Sequence, residues 1–105
     1  MHARYRAGAP ANMDRGVRWG GRHAYGVHNG EIVESKGFIT DVITDYALTF
    51  IEDYQKAPFF CYVPYNAPHT PHQVPDRYFD KYTARGLDSR EAAIYGMVEN
   101  IDENV

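Results

Sequence analysis

The sequence predicts an α/β fold, built on one buried core strand, two long amphipathic helices and a β-hairpin ahead of them. Three observations predict it. Phe59-Phe60-Cys61-Tyr62-Val63 is an unbroken run of aromatic, β-branched and small apolar residues, apolar on both alternating faces, as a strand covered on both sides reads. Apolar residues recur at helical spacing on either side of that run. Five of the six prolines fall between Pro58 and Pro75, so the run ends in a stiff, non-helical loop.

The elements follow in chain order. Residues 1–22 show neither helical nor strand periodicity and are interrupted by Gly8, Pro10, Gly16, Gly20 and Gly21, so residues 1–24 read as a poorly ordered loop. Tyr25–His28 and Glu31–Glu34 are short β-capable runs separated by Asn29-Gly30. Asn-Gly suits a type I′ turn, which needs positive φ at both central residues, so a hairpin is expected. A helix follows from about Asp41 to Tyr54, with Thr40 as its expected cap and Val42, Ile43, Tyr46, Ala47, Phe50, Ile51 and Tyr54 as its stripe. After the strand and the proline-rich loop, Pro75 suits the first turn of a short helix to about Tyr82, closed by Arg85-Gly86. The last helix starts near Asp88, where Asp88 and Glu91 resemble a capping box, and carries Ile94, Met97, Val98, Ile101 and Val105.

Size and charge exclude several classes. The 105 residues make one domain at most, and 44% hydrophobic residues permit a packed core. A net charge of −3 offers no basic field for nucleic acid. Arg4, Arg6, Arg15, Arg18 and Arg22 form a local exception that reads as a solvated end. Cys61 is the only cysteine, so an internal disulfide is impossible. Nothing is apolar and long enough for a membrane span, and the N-terminus lacks the apolar region of a signal peptide. A strand buried on both faces needs neighbouring strands, and this chain offers only one such strand, so it reads as part of a larger sheet.

The chemistry-bearing residues lie in the proline-rich loop. Asn66, His69 and His72 follow the predicted strand, where open α/β sheets place their ligands. An imidazole can donate a proton near neutral pH. Asn66 can face a substrate or close a turn. A His69–His72 metal pair is disfavoured, because Pro71 excludes the helix that would align them and no third ligand is nearby. Asp102, Glu103 and Asn104 read as a solvated helix face.

Tyr65-Asn66-Ala67-Pro68-His69-Thr70-Pro71, followed by Gln73-Val74-Pro75 and an aromatic helix, resembles the sulfatase family of the alkaline-phosphatase-like superfamily. Thr40–Ile51 and Tyr95–Val105 resemble the helices on either side in bacterial sulfatases. The resemblance is good from Gly37 onward, loose over Tyr25–Lys36 and slight before that. It implies a part of an α/β/α sandwich and a sulfuric-ester hydrolase, arylsulfatase-like, with His69 beside the sulfate ester as the catalytic residue serving the leaving oxygen. Asn66 would be a substrate-binding residue. The family's divalent cation, usually calcium, and its formylglycine nucleophile are implied for the whole enzyme. Cys61 does not match the conversion pattern of Cys or Ser, any residue, Pro, any residue, Arg, because Pro64 comes one place late and no arginine follows. No metal site is expected in this chain, and the chain alone is expected to be inactive. The implied substrate is a sulfated sugar or an aryl sulfate, and the implied setting is periplasmic or secreted. The alternatives are a phosphate-ester hydrolase of the same superfamily, or a non-catalytic remnant or binding module.

Overall fold

The computed structural model describes residues 5–7, 17–18, 24–69 and 72–105. It is a mixed α/β arrangement of short strands and three helices: β1 (Tyr5–Ala7), β2 (Val17–Arg18), β3 (Ala24–His28), β4 (Glu31–Ser35), α1 (Ile39–Tyr54), β5 (Gln73–Val74), α2 (Asp76–Thr83) and α3 (Ser89–Asn104). β1, β3 and β4 form an antiparallel sheet in that order, and β2 pairs in parallel with β5. Arg4, Arg15, Trp19 and Arg22 of the N-terminal segment, and Thr70 and Pro71 of the loop, lie outside the described residues.

The hairpin forms where Asn-Gly predicts it. Asn29 and Gly30 take φ of 52° and 89°, and the strands pair from Ala24↔Ser35 to His28↔Glu31. Two further strands, β1 and β2, lie inside the stretch read as loop. At three and two residues, they are too short for a period-two pattern to register.

The expected core strand does not form. Phe59–Val63 has no regular secondary structure and pairs with no strand among the described residues. Its exposure alternates beyond that point: Cys61, Val63, Tyr65 and Ala67 are half-buried, while Phe60, Tyr62, Pro64 and Asn66 are exposed. Phe60 is 84% and Tyr62 76% exposed. Burial on both faces needs a layer on each side. Here α1 meets the segment through the Phe50–Phe59 ring contact and a hydrogen bond between the Thr44 and Tyr65 hydroxyls.

The core lies instead between β5, α2 and α3. Phe38, Val74, Tyr78, Phe79, Ala92, Ala93 and Met97 form its buried cluster. Of its predicted stripe, α3 buries Met97 and leaves Val98 and Val105 exposed; its buried face is completed by Ala92, Ala93, Gly96 and Asn100. Small residues win because α2 comes close. A Cβ on Gly96 would stand 2.8 Å from Tyr78 Cβ and 3.1 Å from Val74 Cγ1. α2 ends as its sequence predicts. Gly86, at φ +90°, bonds Thr83 O and Leu87 N–H donates to Tyr82 O, the paired bonds of a Schellman closure. Asp88 caps α3 by accepting from Glu91 N–H at 2.8 Å. Thr40 does not cap α1. Phe38 occupies the cap position, without a side-chain bond, and Thr40 lies inside the first turn with its hydroxyl buried and unpartnered.

Candidate functional site

The loop between Val63 and β5 is anchored at both ends. At its start, the Tyr65 hydroxyl lies 2.6 Å from Thr44 Oγ1 on α1. At its end, Val74 is fully buried and its strand pairs with β2. Between them, Ala67 packs against the core cluster, and His69 N–H donates to Asn66 C=O at 3.0 Å, closing a tight turn around a cis Ala67–Pro68 peptide. The turn leaves both Asn66 and His69 exposed. Asn66 thus closes the turn with its backbone carbonyl. His72, on the approach to β5, is half-buried. An exposed imidazole on an anchored turn can donate to an anionic or leaving oxygen without ordering a floppy loop first.

A polar network joins the three helices. Asn100, with no exposed surface, donates to Asp41 Oδ1 at 2.9 Å and to the Tyr78 hydroxyl at 3.2 Å. Asn104 donates to the same Asp41 oxygen at 2.8 Å. Tyr78 in turn donates to Glu103, which also pairs with Arg77 at 2.9 Å. Burial and the bond to Glu103 push the Tyr78 phenol above its ordinary pKa. The Tyr78 hydroxyl and the Arg77 guanidinium hold the Glu103 carboxyl below its own. Asp102 and Glu103 lie exposed, as a solvated face requires, and Glu103 and Asn104 additionally serve as cross-helix ties. Sequence reasoning missed this network, although Asp41, Asn100 and Asn104 share helical spacing with buried neighbours and that signal was available.

Cys61 is a free, half-buried thiol in the Phe59–Val63 segment. Among the described residues, no three His, Cys, Asp or Glu side chains gather where they could hold a metal ion, and no helix is long and apolar enough to cross a membrane.

Comparison with known proteins gives concordant matches. The family model described as Sulfatase matches residues 5–105. An "Uncharacterized sulfatase YdeN" of Escherichia coli (strain K12) is 32% identical over 79 residues, which is 70% of this chain and 14% of that protein. The chain thus spans about a seventh of the length of the curated relative it matches.

Proposed function

Because the chain belongs to the sulfatase family, we propose that it is the histidine-bearing segment of a sulfuric-ester hydrolase, taking an aryl sulfate or a sulfated sugar, within an alkaline-phosphatase-like α/β/α sandwich. The observation that carries this reading is the anchored, exposed turn that presents His69. When a nucleophile from outside these residues takes the sulfuryl group and the S–O bond of the ester breaks, the leaving oxygen gathers negative charge. His69, protonated, gives it a proton and becomes the neutral imidazole. Asn66, beside it on the turn, offers amide hydrogens to a sulfate oxygen.

The family's cation and modified nucleophile find no fit in these residues. No cluster of three candidate ligands occurs among the described residues, and Cys61 is followed by Tyr-Val-Pro-Tyr in place of the conversion pattern. No step is assigned to either group here, and the 105 residues alone are expected to turn over no sulfate ester.

The test compares a sulfate monoester with the matching phosphate monoester in the protein that carries this segment. Preference for the sulfate ester, with kcat lowered about 10²–10⁴-fold by His69→Ala, supports the reading. Preference for the phosphate ester would assign the segment to a phosphate-ester hydrolase. Hydrolysis of neither would leave the binding-module alternative.

A further inference from the structure

The first anchor of the histidine turn contains a hydroxyl relay whose polarity can be deduced. Thr44 Oγ1 lies 3.1 Å from Thr40 C=O and 2.6 Å from Tyr65 OH. A carbonyl only accepts, so the single Thr44 hydrogen goes to Thr40. Thr44 must then accept from Tyr65, and the phenol is the donor. The relay runs in one direction: Tyr65 to Thr44 to the α1 backbone.

Its far end is firmly held. Thr40 and Val42 are buried, and Asp41 between them accepts from Asn100 and Asn104 on α3. Its near end stands one residue before Asn66, whose carbonyl receives the His69 amide at 3.0 Å. The Asn66–His69 backbone bond closes the chain between the relay and His69. Upstream, the chain pairs with no strand among the described residues and meets α1 through the Phe50–Phe59 ring contact.

We propose that Tyr65 and Thr44 are positioning residues that fix the pose of the His69 turn on α1. Neither touches substrate. The relay holds the turn where His69 can meet the leaving oxygen, so its catalytic consequence rests on the reading of His69 given above.

The experiment is a double-mutant cycle with a rescue arm: Tyr65→Phe, Thr44→Val, both together, and Thr44→Ser. Two readouts are taken on each. One is the NMR signals of the His69 amide and imidazole in the protein that carries the segment. The other is kcat and KM on an aryl sulfate in the protein that carries the segment. One net hydrogen bond corresponds to about 2–12-fold in rate. Each single variant should lower kcat by that factor, with KM little changed, and displace the His69 signals. The double variant should be no worse than either single, and Thr44→Ser should restore both readouts. Losses that multiply in the double variant would overturn the relay. So would unmoved His69 signals in Tyr65→Phe. His69→Ala separates the two claims. If it leaves kcat unchanged, the catalytic reading of His69 fails, and the relay still stands or falls by the His69 signals alone.

Discussion

The β5–α2–α3 corner and the Phe59–Tyr65 segment are both rich in apolar and aromatic side chains, yet one is a core and the other is largely bare. In the corner, Val74, Tyr78, Ala92 and Ala93 are buried together, and Gly96 leaves room for the side chains of Tyr78 and Val74 to press directly against α3. In the segment, Phe60 and Tyr62 are largely exposed, while Phe59 and Tyr65 meet α1 through Phe50 and Thr44. Hydrophobicity is similar, so the difference lies in partners. An apolar run earns burial only where geometry supplies a second surface. The histidine turn sits where the two regions meet and takes one anchor from each side.

Substitutions can break this comparison, starting with the largest effect. Phe38→Ala removes a ring that is 5% exposed and should cost about 3–5 kcal/mol in urea unfolding, enough to erase a cooperative transition in a small domain. Gly96→Leu forces atoms into Tyr78 and Val74, and should cost about 1–3 kcal/mol or more despite leucine's better helix propensity. Phe60→Ala should shift stability by no more than about 0.5 kcal/mol, although it deletes the same ring as Phe38→Ala. A loss above 1 kcal/mol for Phe60→Ala would mean that its face is covered after all, and would erase the contrast.

Acid and alkali sharpen the comparison with smaller effects. Glu103 is held low by Tyr78 and Arg77, and Glu99 by Lys81. Depressed carboxyls stabilise the fold fully above their unfolded pKa, about 4.3, and that contribution fades as pH falls through the folded values. Tyr78 is raised, so its contribution is complete below about pH 10 and is lost as pH rises further. Urea midpoints measured against pH should fall at both ends. Glu103→Gln should flatten the acid limb, and an unaltered limb would show that the Glu103 tie adds nothing.

Much of the local structure was legible in the sequence, because its determinants are local. Asn29-Gly30 specifies a turn, Asp88 caps α3 and Gly86 closes α2 through chemistry within a few residues of each position. The errors arose where distant partners decide. Phe59–Val63 shows the pattern of a doubly covered strand, but the pattern cannot say whether two layers are present. On α3, only Met97 of the predicted stripe is buried, and Ala92, Ala93 and Gly96 complete the face, because small side chains allow a close approach that a hydrophobicity count ignores. Of the site, His69 and Asn66 could be singled out from their proline-rich surroundings. The Tyr65–Thr44 tie could not, since it joins residues 21 apart in sequence and follows no periodicity.

The leaving-group dependence of His69→Ala tests the central claim most directly. A series of aryl and alkyl sulfates with progressively poorer leaving groups would be assayed in the protein that carries this segment, with His72→Ala alongside. If His69 protonates the leaving oxygen, its loss should lower kcat about 10²–10⁴-fold on the poorest leaving groups and least on the most activated aryl sulfates. His72→Ala should cost much less throughout. Equal, small losses for both variants on the poorest leaving group would contradict the assignment and reduce His69 to a structural residue of its turn.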